Sequence, residues 1–203
     1  MLTDAPAPSE PAPPAVLDAV HHSMAPPPPP APPPPRVRLG ASAMVEHYAL
    51  GATLAGVDVG AAVWIVPRVS VLLALRVRGG PAVAAPHGAI SPSLLGGALG
   101  AAFTVTPTSA RGGVDLQGKL GFARVSFGAV ANEGARALSQ SAGTAFVELG
   151  VEGWLALGRF VRLQLGVSWV QTLRALRALD GADEITGVGG PGVAGGLGAC
   201  AVF

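Results

Sequence analysis

The sequence predicts an all-β protein: an eight-stranded antiparallel up-and-down barrel that spans a membrane, preceded by a disordered Pro-rich segment. Three observations predict it. First, eight stretches after residue 35 alternate apolar residues with small or polar ones, as strands with two different faces do. Second, the connections between these stretches are alternately short and long. Third, hydrophobic residues make up 50% of the chain and charged residues only 12%, whereas soluble domains carry roughly 25% charged residues.

Residues 1–35 form a low-complexity segment, which we separate from the predicted barrel at residues 36–203. Residues 26–30 and 32–35 are unbroken proline, which favours an extended polyproline II rod and cannot build a core. We expect a linker or a periplasmic tail, and a ligand for a proline-binding module is the alternative. Residues 1–8 lack the basic region and apolar core of a secretory signal. Either a signal precedes this sequence, or the assigned start is wrong, or the protein is not exported.

Within each predicted strand, the charged residues share one face. The predicted strands cover residues 36–48, 53–66, 69–78, 93–106, 114–124, 145–157, 160–172 and 191–203. An arginine or lysine that faces lipid at mid-membrane costs about 2–4 kcal/mol, so the charged face is expected to line the interior. Arg124 is the exception and is expected at a rim. The stretch at 93–106 is partly apolar on both faces and, taken alone, also fits a helix.

The inward faces predict a network of charges inside the barrel. Its expected members are Arg36, Arg38, Glu46, Asp58, Arg76, Arg78, Asp115, Lys119, Glu148, Glu152 and Arg162. An eight-stranded barrel is just wide enough inside for side chains, and the two signs occur in similar numbers. We therefore expect a salt-bridged plug, and a narrow or gated pore is the alternative.

The lengths of the connections predict which end of the barrel faces which side. Short periplasmic turns are expected at residues 66–68, 107–113 and 157–159. Longer external loops are expected at residues 79–92, 129–143 and 173–190. Membrane barrels have this asymmetry, and recognition is expected in the long loops. The first external connection, at residues 49–52, is short and departs from the pattern.

The last predicted strand ends on a phenylalanine preceded by apolar or small residues at alternate positions. These residues are Leu197, Ala199, Ala201 and Phe203. With this ending and the architecture above, residues 36–203 resemble the small eight-stranded outer-membrane barrels of the OmpA/OmpX type. The resemblance implies that the four residues are an assembly signal for the barrel-insertion machinery. It also implies a monomer surrounded by outer-membrane lipid, with the N-terminal tail in the periplasm; a periplasmic partner of that tail is an open alternative.

No catalytic group, cofactor or metal site is predicted. Some resembling barrels are lipid-modifying enzymes, and His47 with Glu46 or Ser42 is the candidate site for such chemistry. A nucleophile needs its base within hydrogen-bond reach, however, and adjacent strand residues point to opposite faces. The net charge of +1 gives no reason to expect a nucleic-acid partner. Cys200 is the single cysteine, so no disulfide forms within the chain and a buried thiol is expected.

These observations predict a non-enzymatic outer-membrane protein with a structural, adhesive or envelope-stabilising role. A narrow or gated channel is the first alternative. A secreted β-sandwich that binds a ligand is another, in which the uncharged face would be the core. A helical membrane protein is the last, with spans at residues 49–66 and 90–105.

Arginine substitutions on the two faces test the predicted orientation of the strands. Leu165→Arg or Val151→Arg is expected to block membrane insertion far more than Ser168→Arg or Gly150→Arg, because the first two place a charge in lipid. The measurement is the folded fraction in a gel that compares heated with unheated protein. Equal tolerance at all four positions would contradict the assignment of faces.

Overall fold

The computed structural model describes residues 37–107, 110–134 and 136–203. These residues form eleven strands: β1 (Val37–Tyr48), β2 (Thr53–Val66), β3 (Val69–Gly79), β4 (Val83–Ala85), β5 (Gly88–Thr104), β6 (Gly112–Ala131), β7 (Gln140–Ala156), β8 (Val161–Thr172), β9 (Leu176–Asp180), β10 (Asp183–Val188) and β11 (Pro191–Val202). None of the described residues belongs to a helix long and apolar enough to cross a membrane. The predictions for residues 1–35 and for Arg36 lie outside the described residues.

Eight of the strands form one closed antiparallel ring. Their hydrogen-bonded order is β3–β2–β1–β11–β8–β7–β6–β5, and β5 pairs in turn with β3. A closed ring leaves no open sheet edge, so the backbone N–H and C=O groups are paired between neighbouring strands. The prediction of an eight-stranded antiparallel barrel is confirmed. The sandwich and helical alternatives are wrong, because the eight ring strands close one sheet on itself and residues 53–66 and 88–104 are strands β2 and β5.

Three strands of the ring are longer than predicted. β5 begins at Gly88, β6 continues to Ala131 and β7 begins at Gln140. The expected external loops at 79–92 and 129–143 are therefore shorter, and β4 pairs with the extension of β5. Charged and apolar residues no longer alternate in these extensions, so the sequence carries little signal there. The strands continue because each has a paired neighbour, and strand formation depends on that context.

Alternate residues face opposite sides of the ring, with the apolar ones outside. In β3, Leu75 is 62% exposed whereas Arg76 beside it is 1% exposed. The same alternation separates exposed Leu95 from buried Leu94 in β5. Arg124 lies on the outer face and donates hydrogen bonds to the Ser141 hydroxyl. An apolar exterior around a polar interior is the arrangement that a hydrocarbon surrounding stabilises.

The two ends of the barrel differ in their connections. At the turn end, strands are joined by residues 67–68, 105–111 and 157–160. Gly158 there has φ +130°, a conformation that glycine adopts without steric cost. The opposite end, which we call the loop end, carries β4 and the hairpin of β9 and β10.

The β9–β10 hairpin packs against the mouth of the barrel at the loop end. Leu176, Ala178 and Val188 of the hairpin are buried, and they share one apolar cluster with Leu54 and Phe146 of the ring. Gly187 also donates a backbone hydrogen bond to Leu50 (2.9 Å) and accepts one from Ala52 (3.3 Å). The segment predicted as a long external loop at 173–190 therefore contains a hairpin that covers the mouth of the barrel.

An apolar plug fills the interior next to this cap. Leu54, Val125 and Val170 have no solvent exposure, and Tyr48 and Phe146 pack in the same cluster. The sequence predicts a salt-bridged plug, and the structure adds this apolar part to it. The ion pair of Arg78 with Glu46 lies beside the apolar cluster, because Glu46 is the cross-strand neighbour of Leu54.

Candidate functional site: the barrel interior and its loop end

Glu148 on β7 is the centre of the charged interior. Its Oε2 accepts a hydrogen bond from Arg76 Nη2 of β3 at 2.6 Å, and its Oε1 accepts one from Lys119 Nζ of β6 at 2.8 Å. Lys119 is the cross-strand neighbour of Glu148, but β3 and β7 are not adjacent in the ring. The Arg76–Glu148 pair therefore crosses the interior. The Arg76 guanidinium also lies 4.3 Å from the ring centre of Phe146, which provides a cation–π contact.

Arg78 joins two carboxylates on neighbouring strands. It donates to Glu46 of β1, and its Nη2 donates to both carboxylate oxygens of Asp58 on β2 at 2.8 Å. Asp58 also lies 3.9 Å from Arg76, which links this group to Glu148. Arg78 and Glu46 are almost completely buried. Each therefore neutralises the charge of the other, which would be costly if it were buried alone.

A second group of polar contacts lies toward the turn end and is centred on Arg38. Its Nη1 is 2.9 Å from Glu152 and 3.5 Å from Asp115. Gln164 donates to Glu152 at 2.6 Å, and the indole N–H of Trp154 donates to Asp115 at 3.3 Å. The two carboxylates are thus held by one cation and two neutral donors, which fixes their positions.

Two predicted members of the network remain. Arg36 lies outside the described residues, so its prediction is not tested. Arg162 has no ion pair with any described residue, and its guanidinium lies over Trp154 at 4.2 Å and over Trp64 at 5.9 Å. Trp64 was not among the predicted interior residues. Its position in β2, six residues after Asp58 and on the same face, was the signal that could have found it.

A small cavity of about 110 Å³ remains in the middle of the barrel. Polar side chains line it, among them Asp58, Gln117, Lys119, Glu148 and Ser168. The inward-facing glycines around it are already in close contact with their neighbours. A Cβ added at Gly150 would lie 2.8 Å from the Cβ of Ser168, and one added at Gly196 would overlap the sulfur of Met44.

At the loop end, His87 and Asp180 connect the β4–β5 turn to the hairpin. The backbone N–H of His87 donates to Asp180 Oδ2 at 2.9 Å, and His87 Nδ1 lies 2.9 Å from Asp180 Oδ1. The backbone hydrogen bond is the main reason why the pKa of Asp180 lies below its usual range, and the contact with the imidazole lowers it further. Asp180 therefore stays ionised, and the hairpin is held, in neutral and mildly acidic solution.

The predicted assembly signal lies on the strand that completes the ring. Leu197 and Phe203 are exposed on the outer face, Ala199 shares that face, and Ala201 is half-buried. β11 pairs with β1 along its length, and Phe203 exchanges two backbone hydrogen bonds with Val37. The role of these residues in assembly stays a prediction. Cys200, between them, is buried on the inner face.

The candidate catalytic residues do not come together. His47 is exposed, and its Nδ1 lies 2.8 Å from the hydroxyl of Thr53. Glu46 faces the interior and binds Arg78, and Ser42 lines the inner cavity. The alternation of β1 therefore separates His47 from both proposed partners.

Comparisons with known proteins support the fold. No protein-family model matches this chain, and no curated protein matches it. Among solved structures, a major outer membrane protein from Thermus thermophilus superposes with a TM-score of 0.57 at 12% identity, over 82% of this chain and 99% of that one. This chain has the fold of outer-membrane β-barrels.

Two further structures have the same fold. Neisserial surface protein A matches with a TM-score of 0.50 and 16% identity, over 82% of this chain and 96% of that one. Ail, the attachment invasion locus protein of Yersinia pestis, matches with a TM-score of 0.50 and 11% identity, over 83% and 97%. At these identities the likeness concerns the fold alone.

Substitution of Glu148 tests whether the interior charges hold the barrel together. Glu148→Gln leaves Arg76 and Lys119 without their shared counter-charge, and breaking a buried ion pair in this way costs about 3–5 kcal/mol. We expect a lower urea midpoint of unfolding. The double variant Glu148→Gln/Lys119→Gln removes one of the two cations and should recover part of the loss. A wild-type midpoint for the single variant would contradict a structural role for the network.

The contact between His87 and Asp180 predicts a pH dependence at the loop end. Because its pKa is lowered, Asp180 contributes fully to the stability of this contact above its ordinary pKa of about 3.9. That contribution is lost as the pH falls through the folded-state pKa. We expect the amide proton resonance of His87 to show a transition in strongly acidic solution, below the ordinary pKa of an aspartate. Asp180→Asn should abolish this acidic transition, whereas Asp183→Asn, across the same hairpin turn, should keep it. An acidic transition that survives Asp180→Asn would rule out this contact.

Proposed function

We propose that this protein is a non-enzymatic barrel of the bacterial outer membrane that is closed to solutes and uses its loop end for recognition. The apolar exterior of the ring supports this location, because exposed side chains such as Leu75, Leu120 and Leu165 suit lipid and not water. The fold shared with outer-membrane proteins agrees with it. The surrounding lipid is then the first partner of the protein.

The observation that carries the proposal is that side chains fill the interior along its length, apart from the small cavity in the middle. Ion pairs extend from Arg38 near the turn end through Glu148 to Arg78, whose partner Glu46 lies beside the apolar cluster. The apolar plug around Leu54 and Phe146 occupies the loop end, and the β9–β10 hairpin covers it. A barrel filled in this way suits a structural support for the segments at its ends better than a path for solutes.

The placement of the ends supports the proposed orientation. Val37, where the described barrel begins, lies at the turn end together with Phe203. In our proposal the turn end faces the periplasm, so the Pro-rich segment is a periplasmic tail or linker. The loop end faces outward, and the barrel-insertion machinery reads the strand that contains Leu197 and Phe203.

The separation of the candidate groups supports the non-enzymatic part of this proposal. His47 faces outward while Glu46 and Ser42 face inward, so no base lies beside a nucleophile there. The proposed role is therefore structural or adhesive. A monomeric state is consistent with this role, because the ring closes within one chain.

A narrow or gated channel is the second candidate function. The observation that favours it is the polar cavity of about 110 Å³ between Lys119, Glu148 and Ser168. Such a channel would require both the charged pairs and the apolar plug to move aside.

Conductance in planar bilayers separates the two functions. The purified full chain is expected to show no steady conductance, because ion pairs and hydrocarbon block the interior. The variant Arg76→Ser/Glu148→Ser/Phe146→Ala, which shortens the side chains that cross the middle, serves as the opened control and should conduct more. Steady conductance by the wild-type chain would replace the proposed function with the channel.

A further inference from the structure

A second and larger cavity, of about 340 Å³, lies at the loop end. Three segments of the chain form its walls: the turn between β4 and β5, the last residues of β6 with the connection to β7, and the β9–β10 hairpin. This volume falls in the range of small-molecule pockets, about 300–1,000 Å³. The cavity is distinct from the inner one, because the two share no lining residue.

One wall of this cavity is apolar and preformed. Ile90, Phe127 and Ala178 line it, and all three are buried members of the apolar cluster at the loop end. Ala85 and Ala129 pack against the same cluster and also line the cavity. A hydrocarbon group placed there would contact side chains that the fold already holds in position.

The rim of the cavity is polar, and two of its three charged lining residues are arginines. Arg136, Arg177 and Asp180 line it. Asp180 is bound by His87, and Arg177 lies 2.8 Å from Glu184. Arg136 makes no ion pair with any other described residue. The rim therefore offers an arginine that is available to an anion, while its one carboxylate already has a partner.

We propose that this cavity binds a small amphiphilic anion, with its hydrocarbon part against Ile90 and Phe127 and its anionic group at Arg136. A guanidinium is the side chain best suited to a carboxylate or a phosphate, because it donates two parallel hydrogen bonds. A cationic ligand would find no unpaired carboxylate at the rim. The inference rests on the proposed recognition role of the loop end, to which it assigns a class of ligand.

The contact between His87 and Asp180 gives the cavity its shape. It ties the β4–β5 turn to the tip of the hairpin, and both segments are walls of the cavity. The cavity is therefore formed before a ligand arrives, which lowers the ordering cost of binding.

Octanoate is the probe for this site, with octan-1-ol as its neutral analogue. The full chain is placed in phosphatidylcholine nanodiscs with its isoleucine δ1 methyl groups labelled with ¹³C for NMR. The chain has three isoleucines, Ile65, Ile90 and Ile185. Ile90 reports on the cavity, whereas Ile65, exposed on the outer surface near the turn end, reports on partition into lipid.

We expect octanoate to shift the Ile90 resonance saturably, and octan-1-ol to bind about tenfold or more weakly, since it lacks a charge-assisted hydrogen bond. Arg136→Gln should weaken octanoate by a similar factor and leave octan-1-ol unchanged. Ala129→Phe should fill the cavity and reduce the binding of both. Arg111→Gln, at the opposite end, is the matched control and should change nothing. The gel comparison of heated and unheated protein shows that each variant is folded.

Three results would overturn the inference. The first is equal affinity for octanoate and octan-1-ol, and the second is no effect of Arg136→Gln. The third is a shift at Ile65 that accompanies every shift at Ile90, which indicates partition into lipid only. Any of these in a barrel that does not conduct leaves the proposed function standing. Saturable octanoate binding in a conducting barrel would instead support the ligand and contradict the closed interior.

Discussion

Closure of the sheet is the constraint on which the rest of the structure depends. β1 meets β11 and β3 meets β5, so the eight strands of the ring have no free edge. In hydrocarbon an unpaired N–H or C=O costs several kcal/mol, and a closed ring avoids that cost without any help from side chains. The chain can then use glycine and alanine freely within strands, although neither favours a strand by itself.

Closure also determines where charges go. A residue in the ring faces either lipid or a narrow interior, and the lipid face does not accommodate an ion cheaply. Arg76, Arg78 and Arg38 therefore point inward, where their partners lie on other strands. Buried ion pairs of this kind add little net stability compared with apolar packing, but a cation left without its partner is costly. The network consequently specifies how opposite walls of the barrel are placed relative to each other.

Because ion pairs and apolar side chains fill the interior, the proposed recognition site lies at the loop end. There the strands β5, β6 and β7 continue past the ring and the β9–β10 hairpin folds back on them. Rigid strands support these segments from below, and the contact between His87 and Asp180 holds them from above. The apolar wall beside Arg136 results from that packing, and it is where the proposed recognition role places its ligand.

The sequence by itself determined the number of ring strands, the face on which each residue of β3 or β8 lies, and the short turns, because alternation with period two is a local property of a strand. It placed Glu148 and Arg76 on inner faces, but only the tertiary structure decided that they meet across the interior. The apolar plug around Leu54, the longer strands and the capping hairpin were also decided there. Each depends on contacts between residues far apart in the chain, and no local pattern encodes which distant partner a side chain will find.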